Sequence, residues 1–160
     1  MITDSQALIR EQPPTTTAAS ISRSVARPEF RTPPGSLACA AVLAVVTLGL
    51  RLGGLRSTKA LTRWLIARRQ GGVPAERTCI PLVVHRVDLA AAFFPGRARC
   101  LERSLALYVC LRWCGAETTV RLGVQPYPFT AHAWVELDGE PVGDSRDSIA
   151  LFSPLPWDDA

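Results

Sequence analysis

The chain has 160 residues, room for one domain and little more. Its 48% hydrophobic and 20% charged residues match an ordinary soluble domain, which excludes a wholly disordered chain. The net charge of +4 comes from 18 Lys+Arg against 14 Asp+Glu, with Lys59 the single lysine; scattered so, and without an aromatic-interleaved basic stripe, it does not argue for nucleic acid as a partner.

Residues 1–34 are rich in Thr, Ser, Pro and Arg and carry no apolar period, so they read as a disordered segment. The folded domain is expected over residues 35–160. Pro33-Pro34 closes the N-terminal segment, and a first helix is predicted from Ser36 to Leu52, ended by Gly53-Gly54. Within it, Leu37 to Leu50 is a run of 14 residues without a charge. A spanning helix needs roughly 20 apolar residues, so the run reads as a core or docking helix. Peripheral membrane contact is left open for a chain otherwise expected in the cytoplasm. A second helix is predicted from Ser57 to Arg69, with Leu61, Trp64, Leu65 and Arg68 on one stripe and Gly71-Gly72 as its stop. A third runs from Pro81 to Phe94, before Pro95-Gly96. The fourth runs from Cys100 to Cys114, with Gly115 after it. Leu101, Leu105, Tyr108, Val109 and Leu111 make it apolar round most of its circumference, as in a helix inside the fold.

Beyond Gly115 the texture changes to strands. Thr118 to Val124 and Ala131 to Leu137 flank the loop of Pro126 to Thr130, and Asp138-Gly139 is a two-residue hairpin turn. A return strand is predicted from Glu140 to Asp144. The tail is turn-rich, with Leu151, Phe152, Leu155 and Trp157 packing back. Helices first and an antiparallel meander after define an α+β fold, with N-terminal helices packed on the sheet.

Five cysteines, an odd number, argue against a disulfide framework and suit a reducing compartment. Cys39, Cys110 and Cys114 lie in apolar surroundings and read as small buried hydrophobes. Cys100 differs from them. A cysteine attacks carbonyls as its thiolate, which helix N-termini and nearby cations favour. Cys100 opens the fourth helix, with Arg97, Arg99 and Arg103 close in sequence. Backbone N–H groups at such a helix end can also hold the oxyanion of a tetrahedral intermediate.

A thiolate nucleophile needs a base. His85 falls inside the third helix, whereas His132 lies on a strand between the small Ala131 and Ala133, which leave room for a substrate. With Asp138 and Gly139 in the turn, Leu137 faces Glu140, Val135 faces Val142 and Ala133 faces Asp144. Asp144 thus neighbours His132, provided that a bulge or twist near Gly143 brings their side chains to one side. Asp138, six residues along the strand from His132, is roughly 20 Å away. Each residue alone has a plain structural reading, as helix start, strand residue or strand-end turn. A metal site is a poor fit, since Cys110 and Cys114 share one buried helix without a second close pair. Neither Gly-Gly pair forms a phosphate loop.

At these residues the chain resembles a known family. Arg99-Cys-Leu-Glu-Arg-Ser-Leu-Ala-Leu-Tyr108, Leu122-Gly-Val124, Ala131-His-Ala-Trp-Val-Glu-Leu-Asp-Gly139 and Val142-Gly-Asp144 are similar to the transglutaminase-like leader peptidases of lasso-peptide biosynthesis. The resemblance spans roughly residues 36–157. It implies a cysteine peptidase with a catalytic triad of Cys100, His132 and Asp144 and no cofactor. The substrate it implies is a ribosomally made lasso precursor, whose leader is removed. It further implies a separate small leader-recognition protein as partner and an asparagine-synthetase-like cyclase acting next. Two alternatives stay open: an acyl transferase built on the same three residues, and a non-catalytic interaction module of the same fold.

Overall fold

The computed structural model describes residues 31–69, 77–96 and 98–156. The disordered reading of the N-terminal segment therefore falls, over residues 1–30, outside the described residues, as do Arg97 and Trp157.

The chain order is α1 (Ser36–Ala67), a 3-10 turn (Arg77–Cys79), α2 (Ile80–Ala92), α3 (Cys100–Trp113), β1 (Thr118–Gln125), β2 (Thr130–Leu137), β3 (Glu140–Val142), α4 (Arg146–Ile149) and β4 (Ser153–Leu155). The architecture is α+β, as the sequence predicts: three helices against a four-stranded antiparallel sheet ordered β3-β2-β1-β4. The two helices predicted on either side of Gly53-Gly54 are both present: Gly54 leaves helical geometry, at φ 67 and ψ −173, and the two segments of α1 meet there at a kink with no linker between them. Thr58 Oγ1 donates to the Gly54 carbonyl at 2.8 Å and satisfies an oxygen that the kink would leave bare.

Helix α3 is the centre of the fold. It touches α1 and α2 on one side and β1 and β2 on the other. That double contact explains its apolar circumference, and Leu105, Leu107, Val109, Cys110 and Leu111 are buried on it. Gly115, at φ 85, ends the helix, and the next amide returns to the Leu111 carbonyl at 3.1 Å. Cys39, Val42, Leu43 and Val46 from α1 and Val83 and Val87 from α2 complete the helical half of the core. From the sheet, Val120, Val135 and Val142 lie in one row across three strands, all buried. The opposite face of β2 therefore carries His132, Trp134 and Glu136.

The hairpin follows its turn chemistry. Asp138 and Gly139 both have positive φ, at 52 and 80, the pattern of a two-residue turn matched to strand twist. It sets the register Leu137↔Glu140, Glu136↔Pro141 and Val135↔Val142, as counted from the sequence. The return strand stops two residues short of the predicted Asp144, however. Gly143 takes φ 80 and turns the chain off the ladder after Val142. A Cβ on Gly143 would lie 2.9 Å from Arg103 Nη2 and 3.3 Å from Val84 Cγ1, so both the backbone and the space require glycine. We expect Gly143→Ala to destabilise the domain by about 1–3 kcal/mol. Urea denaturation followed by circular dichroism is the measurement, and an unchanged midpoint would contradict this account.

The tail supplies a strand that the sequence pattern does not reveal. Ser145 caps α4 through its hydroxyl, 3.2 Å from the Ser148 amide, and β4 then pairs with β1 as Leu122↔Leu155, Gly123↔Pro154 and Val124↔Ser153.

Candidate active site

The early end of β3 opens an edge on β2. In a continued ladder Ala133 would pair with Asp144; instead its carbonyl accepts a hydrogen bond from Ser104 Oγ of α3 at 2.8 Å, both groups buried. This bond ties the first turns of α3 to the edge of β2 beside His132. Cys100 is the first residue of that helix and lies four residues before Ser104, hence on the same helix face one turn nearer the N-terminus. The Cys100 side chain is half-buried.

The start of α3 is tightly fixed. Glu102, buried in the first turn, accepts from the Arg99 amide at 2.7 Å, and the first helical bond runs from the Arg103 amide to the Arg99 carbonyl at 3.0 Å. The amides of Cys100, Leu101 and Glu102 therefore precede that ladder and carry the positive end of the helix dipole.

His132 and Asp144 are brought together, with Nε2 3.2 Å from Asp144 Oδ1. Turning off the ladder at Gly143 carries the carboxylate to the imidazole, which is the departure from ideal register that the sequence argument requires. The other carboxylate oxygen is 3.2 Å from Arg103 Nη1. Arg103 also donates from Nη2 to the Gly143 carbonyl at 2.9 Å and from Nε to Asp88 Oδ1 on α2 at 2.6 Å. Burial alone would lower its pKa, but the hydrogen bond and charge of Asp88, then Asp144, raise it above the ordinary guanidinium value. Arg103 thus binds α2, α3 and the β3 end into one bracket around Asp144. This corrects the role expected of it: the guanidinium serves the two carboxylates rather than the cysteine. With Nε2 directed at Asp144, Nδ1 is the ring nitrogen left for a reacting group. Among the described residues no hydrogen bond joins the Cys100 thiol to His132.

The surroundings of the imidazole differ from the open site expected between two alanines. Ala133 points into the core, and the neighbours on the histidine's own face are aromatic. Trp134 stacks at 6.2 Å between centroids and 17° between planes, and Phe152 sits at 5.3 Å, tilted by 36°. Gly123, the cross-strand partner of His132, makes the space: a Cβ there would be 2.8 Å from Phe152 Cβ and 3.0 Å from the Trp134 ring. Neither Phe152 nor Trp134 is a site residue that the sequence reading identifies. The only sequence cues are Gly123 on the facing strand and an aromatic residue in the tail. Tyr127 and Phe129, on the β1–β2 loop, are 90% and 78% exposed, so they do not cap the core. His85 is exposed on α2.

The other cysteines are set apart by burial. Cys39, Cys110 and Cys114 are all within the core, and Cys110 Sγ lies 3.9 Å from Cys39 Sγ. The bond to Cys39 and burial push the Cys110 thiol up, while burial, with Cys79 beside it, pushes Cys114 up to about 12. The unfolded chain loses a thiol proton near the ordinary value of 9.0, below the folded value. Their stabilising contribution is therefore complete below about pH 9 and fades as the pH climbs towards the raised values. The urea midpoint should fall as the pH rises from 9.0 towards about 12, the window between those values, and Cys114→Ala should flatten that decline. A midpoint that holds steady or rises would contradict it. Among the described residues no group of three or more His, Cys, Asp or Glu side chains could hold a metal ion.

The helix headed by Cys100 packs on the sheet that bears the His132–Asp144 pair at its open edge. The family model of the transglutaminase-like superfamily matches residues 42–156, most of the chain. This protein belongs to the transglutaminase-like superfamily. No curated protein and no solved structure matches it significantly.

Proposed function

We propose that the chain is a cysteine peptidase that removes the leader from a lasso-peptide precursor, with Cys100 as nucleophile, His132 as base and Asp144 as its orienter. The observation that carries the reading is the His132–Asp144 pair, bracketed by Arg103 at the edge that Ser104 fastens to the cysteine-headed helix. The Cys100 thiolate attacks the scissile carbonyl carbon, and the oxyanion meets the amides that open α3. Imidazolium Nδ1 gives its proton to the leaving amine, breaking the C–N bond and leaving a thioester. His132 then takes a proton from water, whose oxygen attacks the thioester carbonyl; the C–S bond breaks and the sulfur leaves as the Cys100 thiolate, with His132 again protonated. Asp144 holds the ring through Nε2 across both steps. The motif segments around Cys100, His132 and Asp144 support the lasso assignment by their resemblance to that family. A separate recognition protein delivers the leader, and an asparagine-synthetase-like cyclase receives the freed core.

The test is to mix precursor, recognition protein and the chain and follow the products by mass. A gain of one water, distributed between leader and core, supports the peptidase. Formation of a new amide would assign the same residues to acyl transfer. An unchanged precursor, with recognition protein bound, would remove the reading.

A further inference from the structure

A surface remote in character from the catalytic chemistry is left by α1. This helix is long and apolar enough by composition to cross a membrane, yet only 28% of its most apolar window is buried. One side, with Cys39, Val42, Leu43 and Val46, is core. The opposite side, before the kink, presents Leu37, Val45, Leu48 and Leu52 at 89%, 40%, 57% and 80% exposure. With Ala41 between them, their spacing of four, four, three and four residues is one helical stripe. Isolated exposed leucines need no explanation, but a stripe that runs the whole first segment does. Phe93, 81% exposed, follows α2, and the Phe93–Gly96 turn reaches the same region, where a Cβ on Gly96 would lie 3.6 Å from Arg51 Nη2.

The charge on the helix selects the occupant. α1 carries Arg51, Arg56, Lys59 and Arg63 and no acidic residue. Past the kink, Leu55, Arg56, Lys59, Ala60 and Arg63 line one open concavity, so three cations share a surface with an exposed leucine. An apolar stripe that ends at Leu52, followed across the kink at Gly54 by a cationic hollow that begins at Leu55, matches the boundary between acyl chains and acidic headgroups. A protein partner would need acidic side chains and an apolar ridge in the same order; an anionic bilayer supplies both everywhere. A full span is disfavoured, because inserting α1 would pull Leu43 and Val46 out of the core against α3. We propose that α1 is an interfacial docking helix that lays its Leu37–Leu52 stripe onto an anionic phospholipid surface, with Arg56, Lys59 and Arg63 against the phosphates.

The test is co-sedimentation of the full chain with vesicles of phosphatidylcholine alone and of phosphatidylcholine with phosphatidylglycerol. Binding is expected to the anionic vesicles, to weaken in 0.5 M salt, where the screening length is only a few Å (roughly 3 Å at 1 M). Leu48→Gln with Leu52→Gln should reduce it by about tenfold or more. Arg56→Glu with Lys59→Glu should do likewise. The leucines in question are exposed, so these chains should keep their circular dichroism. Equal binding to neutral and anionic vesicles, or binding indifferent to both pairs of substitutions, overturns the proposal. So does self-association without lipid that the leucine substitutions abolish, since it would assign the stripe to a second copy.

Discussion

Cys100→Ala should abolish processing of the precursor while leaving the fold intact. The substitution removes one half-buried sulfur at the head of α3 and touches none of the bonds that hold the helix start, since Glu102 still accepts from the Arg99 amide and Ser104 still donates to Ala133. Stability should therefore change by less than about 0.5–1 kcal/mol. Turnover should fall by a factor on the order of 10⁴ or more, because the covalent route is lost and the remaining residues act only as a unit with it. His132→Ala should cost a similar factor. The double variant should be little worse than either alone, which is the signature of groups serving one step. Mass spectrometry of precursor treated with each variant reads the outcome. Wild-type processing by Cys100→Ala would refute the assignment, and additive losses in the double variant would separate the two residues into independent roles.

Arg103→Leu should be the most damaging change outside those residues, and for a different reason. The guanidinium is 19% exposed and makes three polar contacts, to Asp88, Asp144 and the Gly143 carbonyl. Leucine has no donor for any of them. Asp144, at 16% exposure, would be left partly buried with its cation gone, which costs more than the ion pair itself contributes. We expect a loss of about 2–3 kcal/mol, less than for a fully buried pair because Asp88 is 43% exposed and regains water. Urea denaturation measures it. Arg103→Lys keeps the charge but not the planar fork, so it should recover part of the stability and little of the processing rate, since one ammonium cannot hold Asp144 and Gly143 in fixed relation. If Arg103→Leu proved as stable as the parent, the bracket described here would have no energetic meaning.

Residues close in sequence carried much of this structure on their own. Pro81 and Pro95-Gly96 bounded α2, an apolar circumference marked α3 as an inner helix, Gly115 placed the end of α3, and Asp138-Gly139 set the register of β2 against β3 through a turn that only positive φ allows. Even the approach of Asp144 to His132 could be anticipated, because register is arithmetic once the turn is known and Gly143 is the residue able to leave it. These features depend on local sterics and on the period of a single element. What the fold alone decided joins elements that no local rule connects. Arg103 could have served the cysteine beside it in sequence, and only packing of α2 and the β3 end shows that it serves two carboxylates. Phe152 reaches His132 because β4 pairs with β1 across a gap where Gly123 has no side chain. The uncharged run of α1 is visible in its sequence, but which side stays bare depends on where α2 and α3 lie. Periodicity reports how a segment is built, whereas burial and charge pairing are properties of the whole chain.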